Sequence, residues 1–175
     1  MPASLLPDFR IARHLAVGVA LALGSGAAAQ GTCTFTMATE PARQVMTCDG
    51  TLIVEREPGT SMTIDERAGA APPRAIEIEG GAILIDVQPG TAPTQIRTPH
   101  AIAAVRGTTY VVDAGAQRTS VFVIAGRVEV RKLDDGSDTV QLRPGQGTDV
   151  TATDRLEVKR WDADRAARLL ARFGR

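Results

Sequence analysis

Few of the 175 residues could make or break bonds, and those few do not fall in an order that any catalytic constellation requires. Past residue 29 there is one histidine, His100, directly after Thr98-Pro99. An imidazole can act as a general base or a metal ligand. Here no Ser-His-Asp or Cys-His order supports it and no second imidazole follows, so it reads as a loop residue or a packed side chain with a satisfied partner. Asp113-Ala114-Gly115 has the look of an aspartic-protease triplet, but that reaction needs two such carboxylates sharing a proton, and the chain has no second triplet. Asp134, Asp135 and Asp138 cluster around Gly136 without the spacing or closing glutamate of a calcium loop, which makes them a solvated turn. Catalytic residues, cofactor and metal are therefore each expected to be none, and an enzyme is not the expected class.

Two further residue types could carry chemistry of another kind. Cys33 and Cys48 are the only cysteines, and no second Cys or His pair lies near enough to make them half of a metal site. A structural disulfide between them is expected, closing a short loop and stabilising by about 3 kcal/mol on the chain-entropy argument. Arg106 sits at the end of the small apolar run Ala101 to Val105. Its five fixed donors could satisfy several carbonyls or a carboxylate, so an internal clamp shaped by Gly107 and Thr108 is expected, with an anion or partner contact as the alternative.

The elements that must position these residues are mostly strands. Residues 95–112 read as two strands meeting at Gly107, which can take positive φ or let another strand pass close. Thr98-Pro99 punctuates the approach, because Pro99 lacks an amide donor and pushes Thr98 into an extended conformation. Other strand signals recur about every ten residues, among them Thr32 to Met37, Gln44 to Thr47, Ala75 to Glu79, Ala82 to Val87, Thr119 to Ala125, Arg127 to Lys132 and Leu156 to Arg160. Turns are marked by Asp49-Gly50, Pro58-Gly59, Pro72-Pro73, Gly80-Gly81, Pro89-Gly90, Asp135-Gly136 and Pro144-Gly145. Ile76 and Ile78 alternate with glutamates and Val128 and Val130 with charged residues, which gives each strand one wet face. Ile83-Leu84-Ile85 and Val121 to Ile124 are apolar on both faces and should lie centrally. The expected class is all-β, an antiparallel sandwich or elongated β-roll of many short strands with one short C-terminal helix.

That helix occupies residues 162–175. Ala166, Leu169, Leu170 and Phe173 form one apolar face, with Arg165, Arg168 and Arg172 on the other side. Asp162 is the expected N-cap and Arg168, Arg172 and Arg175 suit the C-terminal end of the dipole. Trp161, Leu169 and Phe173 should dock the helix onto an open end of the β structure; the alternative is a basic amphipathic helix offered to a membrane or partner.

The N-terminus reads as a signal peptide over residues 1–29: Arg10, Arg13 and His14 precede the apolar Leu15 to Gly24, and Ala27-Ala28-Ala29 offers a cleavage site. The apolar run falls short of the ~20 residues that span a bilayer, so no stable membrane span is expected after cleavage. Removing Asp8, Arg10 and Arg13 leaves 18 basic and 19 acidic residues. That balance lacks the basic stripe of a nucleic-acid binder, and a periplasmic or secreted protein without a nucleic-acid partner is expected.

An ordered series of motifs then resembles the FecR protein domain, a bacterial extracytoplasmic module. Thr98-Pro99, the small run Ala101 to Ala104, Val105-Arg106-Gly107-Thr108 and the strand Tyr110 to Val112 make the first block. Thr119 to Ile124, Gly126, Val128, Val130 and Leu142-Arg-Pro-Gly145-Gln146 make the second, giving a FecR-like β domain over residues 30–161 with its motif at 95–150. The resemblance implies a non-catalytic module for protein interaction or sensing in the cell envelope, with another envelope protein as partner. Peptidoglycan or another glycan is the alternative partner, and regulation of iron-transport signalling the third reading. The best-known members carry a cytoplasmic anti-sigma segment and a transmembrane helix ahead of this domain. With only a short basic region before Leu15, neither is expected here.

Overall fold

The computed structural model describes residues 33–65 and 75–175. The expected signal peptide and the Pro72-Pro73 turn lie outside those residues. The described strands are β1 (Cys33–Thr39), β2 (Ala42–Cys48), β3 (Leu52–Arg56), β4 (Ser61–Asp65), β5 (Ala75–Val87), β6 (Thr94–Arg97), β7 (Ala101–Val105), β8 (Thr108–Ala114), β9 (Thr119–Ala125), β10 (Val128–Lys132), β11 (Thr139–Leu142), β12 (Gln146–Val150) and β13 (Lys159–Arg160). One helix is described, α1 (Ala163–Ala171).

The strands curl into a mixed half-barrel with two facing layers. One layer runs β1-β2-β3-β5-β8-β9-β12-β13 and the other β4-β5-β6-β7-β10-β11. β5 belongs to both. Its first half pairs with β4 and β6, and its second half, from Gly81 onward, pairs with β3 and β8. Two short strands separated by a Gly80-Gly81 turn were the expectation, whereas one strand of 13 residues is found. The glycines bend it rather than end it: Gly81 has φ +88°, and Thr60 packs so closely there that a Cβ would lie 2.5 Å from the Thr60 hydroxyl.

This bend also corrects the antiparallel expectation. β6 runs parallel to the first half of β5, pairing Ala75 with Gln95 and Glu77 with Arg97. Parallel neighbours need a crossover rather than a hairpin, and the second half of β5, lying in the other layer, supplies it. The expected strand from Leu156 to Arg160 is only Lys159–Arg160. Residues before it are held as a loop, with the buried Lys132 ammonium donating to the Ala152 and Asp154 carbonyls and Asp138 accepting from the Leu156 amide. The remaining aspartates of that cluster behave as the expected solvated turn, Asp135 accepting from the backbone and hydroxyl of Ser137.

The principal core fills the space between the layers, with Ile83, Ile85, Tyr110, Val112, Val121 and Val123 from one side meeting Ile76, Ile96, Ala103, Val128 and Val130 from the other. Leu84, Val111 and Phe122 point the opposite way and pack against Trp161, Leu169 and Phe173. The strands expected to be central for their two apolar faces are central for this reason: facing strands cover one side and the helix covers the other. α1 therefore docks on a sheet face, not on the open end that was expected. Asp162 caps it as expected, its carboxylate accepting from the Arg165 amide at 2.7 Å.

Most of the helix arginines turn toward the sheet. Arg172 pairs with Glu57 and, at 2.6 Å, with Asp113; Arg175 reaches Glu55 at 2.6 Å; Arg165 reaches Asp149 at 2.6 Å and lies over the Trp161 ring. The buried Glu55 also accepts from Arg43, which ties β2, β3 and the helix end together. The Glu57 hydrogen bonds raise the Arg172 guanidinium further above its ordinary pKa, against the opposing effect of partial burial, with Asp113 adding to the rise.

Candidate functional site

The residues singled out from the sequence occupy three places in the fold, not one. Cys33 and Cys48 face each other across β1 and β2 and are joined as a disulfide, as expected. Thr98 is buried just before β7, where its hydroxyl accepts from the amides of His100 and Ala101 and donates to the Ala101 carbonyl. The Thr119 hydroxyl, at the start of β9, donates to it at 2.9 Å. Thr98 thus staples the two layers, and exposed Pro99 only turns the chain. His100 is half-buried with its Nδ1 3.3 Å from Thr119 Oγ1, the satisfied loop residue expected.

The other end of β7 holds Val105, Arg106, Gly107 and Thr108. Here the chain steps from one layer to the other, and at Gly126-Arg127 it steps back between β9 and β10. The two turns lie side by side. Thr108 Oγ1 is 2.9 Å from the Arg127 carbonyl and accepts from the Arg127 amide. Gly126 (φ +82°) must be glycine for a steric reason as well, since a Cβ would come within 2.5 Å of the Gly107 carbonyl oxygen. Gly107 itself has φ +63° and packs on Pro89. The last motif glycine, Gly145, belongs to a third turn, between β11 and β12, where its carbonyl accepts from the Trp161 amide.

Arg106 overturns its expectation. It is exposed, and its guanidinium makes no hydrogen bond or ion pair with any described residue. The apolar run before it is buried because β7 ends at Val105; one residue later the chain has left the ladder, so Arg106 points to solvent, and the turn is held by Thr108 and the glycines instead. It lines an open groove of about 620 Å³ together with Pro93, Ala104, Gly126, Arg127, Glu129 and Gln141. Two exposed guanidinium groups meet one carboxylate there, so the groove favours an acidic occupant. Its floor is the outer face of the second layer, where Glu129 registers with Ala104 and Gln141. No aromatic side chain lines it.

A smaller cavity is spoken for by the fold. A cavity of about 230 Å³ beneath α1 is lined by Arg118, Trp161, Arg165, Arg168 and Arg172, but Arg165 and Arg172 are already paired with strand carboxylates. Asp149, the partner of Arg165, feels burial raising its pKa, yet hydrogen bonds from Arg165 and Ser120 outweigh burial and hold the carboxyl below its ordinary range. No group of three or more metal-binding side chains occurs among the described residues, and no described helix is long and apolar enough to cross a membrane.

What sequence reasoning missed is Gly147, Glu55 and Glu57. A Cβ at Gly147 would fall 2.5 Å from the Trp161 ring, so this glycine admits the tryptophan against β12. Its signal was only a glycine inside a short strand. The glutamates carried no signal, since the arginines that tie them to the helix end lie more than a hundred residues away.

The family described as FecR protein matches residues 34–129. No curated protein matches the sequence. Two crystal structures of a "putative anti-sigma factor" from Parabacteroides distasonis share the fold. One superposes with a TM-score of 0.60 at 22% identity, covering 79% of this chain and 65% of the other. The second gives 0.56 at 22% identity, covering 81% and 61%. This chain spans less than two thirds of the length of either.

Proposed function

The chain belongs to the FecR protein family, and from that premise we propose that it is an exported, non-catalytic module that binds another protein of the cell envelope through the Arg106 groove. The observation that carries the reading is the outward position of Arg106. An arginine in the motif that resembles the family pattern would serve stability if it clamped the core, but here it stands in solvent beside Arg127 at the mouth of a groove. Two weakly hydrated, planar cations on a hydrogen-bonded double turn suit a carboxylate-bearing segment of a partner. The Cys33–Cys48 disulfide supports export, because such bridges persist in oxidising compartments.

A peptidoglycan or other glycan partner is the weaker reading, since sugars stack on exposed aromatic faces and the groove offers none. A role in iron-transport signalling would be one form of the protein-binding reading, with the partner's identity deciding it.

The test is site-specific photocrosslinking in cells, with the photoreactive residue placed at Arg106 and, separately, at Gln117 on the exposed β8–β9 loop. A discrete envelope protein captured from position 106 and lost on Arg127→Glu is expected. Capture from position 117 alone, or retention on purified peptidoglycan with no protein captured, would overturn the assignment.

A further inference from the structure

We infer that the β1 edge is a self-association surface on which a second copy of this chain pairs antiparallel, with its dyad at Thr36. β1 pairs only with β2, and its other side carries no neighbour among the described residues. Phe35 and Met37 are 52% and 68% exposed, the two most exposed large hydrophobic side chains described. They share the face of Cys33, and in register Phe35 lies opposite the buried Met46. The core face of the sheet thus continues outward to an edge where Phe35 and Met37 stand exposed and no described strand faces them.

The backbone says which groups the edge presents. In an antiparallel pair, residues that exchange no hydrogen bonds have the shorter Cα separation, and Cys33 and Cys48 stand 4.0 Å apart. The Cys48 carbonyl agrees, since it turns away from β1 to accept from the Thr51 amide at 2.9 Å. Cys33, Phe35, Met37 and Thr39 therefore aim their amides and carbonyls at the open side. Sheet edges are ordinarily protected by charge, proline, a bulge or a covering element; the sequence Cys-Thr-Phe-Thr-Met-Ala-Thr of β1 holds no charge or proline, its pairing with β2 has no bulge, and no described strand covers its open side.

That edge is complementary to itself in one register. Antiparallel pairing about Thr36 overlaps all seven residues and sets outward-bonding positions against each other, Cys33 opposite Thr39 and Phe35 opposite Met37 of the second copy. About eight backbone hydrogen bonds close. Each exposed aromatic then meets a thioether on the same face, twice by symmetry, a favourable contact that brings no like charges together. A dyad at Phe35 or Met37 would shorten the overlap and set like side chain on like. One strand pair buries less than a standard interface, so a weak, concentration-dependent dimer is expected, with a Kd of about micromolar or weaker. This inference is independent of the Arg106 groove.

Sedimentation velocity over a concentration series of the purified mature chain tests it. A monomer–dimer equilibrium is expected, weakened about tenfold by Phe35→Glu and recovered when Met37→Lys is added to the same chain, because the Thr36 register places the two new charges opposite each other. Circular dichroism should show that these surface variants keep the fold. Thr36→Cys should give a reducible covalent dimer on oxidation, since the dyad sets that residue against itself, whereas Thr34→Cys should not. A monomer at every concentration, a dimer indifferent to Phe35→Glu, a double variant no tighter than the single, or equal crosslinking at 34 and 36 would each overturn the proposal.

Discussion

Truncating Phe173 tests how the helix is held. Phe173 is fully buried among Leu84, Val111, Phe122, Trp161 and Leu169. Phe173→Ala removes a ring whose burial, together with the cavity left behind, is worth about 3–5 kcal/mol. The polar contacts cannot restore that much. The side chains of Arg172 and Arg175 are 33% and 49% exposed, and ion pairs so open to solvent contribute at most about 1 kcal/mol each. The helix has nine residues and would not persist undocked. Its loss should therefore appear in two signals: helical ellipticity falls, and Trp161, the chain's single tryptophan, shifts its emission to the red as it enters water. If the helix and both layers unfold together, the melting temperature falls by on the order of 10 °C. If the helix releases first, the fluorescence transition in urea precedes the β-sheet transition. Unchanged emission and an unchanged melting temperature would refute the reasoning that apolar docking, not the ion pairs, fixes the helix.

Thr98→Val keeps the shape of the side chain but removes the acceptor for two amides and for Thr119, and should cost about 1–3 kcal/mol by chemical denaturation, with Thr98→Ser close to wild type. Gly126→Ala should cost roughly 2–4 kcal/mol, because strain at positive φ is joined by a clash with a backbone oxygen that cannot move aside; Gly90→Ala, at φ +85° in open space, should cost clearly less in the same assay. The depressed pKa of Asp149 means that its ionised form stabilises the fold at neutral pH and that this contribution fades as pH falls below about 4, through the folded-state value. Asp149→Asn should lower stability at pH 7 and flatten the acid limb of a melting-temperature profile, and an acid limb unchanged by the substitution would contradict the pairing with Arg165 and Ser120.

Much of this was legible in the chain itself, wherever the cause is local. Alternation at Val128 to Val130 gave a strand with one wet face, and two-sided apolarity at Ile83 to Ile85 and Val121 to Ile124 gave strands covered on both sides, because side-chain periodicity follows from backbone geometry alone. Two cysteines and an export-like N-terminus were enough to expect the bridge. Asp162 declared its cap by residue type and position. The ordered motifs from Thr98 to Gln146 were enough to suggest the family.

Contacts between distant segments were decided only by tertiary structure. Gly80-Gly81 has the composition of a turn, and whether such a pair ends a strand or bends it depends on what lies opposite, here Thr60. β6 runs parallel to β5 because the bend sends half of β5 into the other layer, which no local pattern encodes. Arg106 follows an apolar run and so suggested an interior clamp; the ladder stops at Val105, and one residue of backbone direction turns a core cation into a surface one. Glu55, near the end of β3, and Glu57, just past it, resemble any solvated carboxylates until the C-terminus returns across more than a hundred residues to bring Arg175 and Arg172 against them. Periodicity and residue type specify which face of an element is apolar, but the partner of that face, and of each charge at its margin, is fixed by the closing of the whole chain.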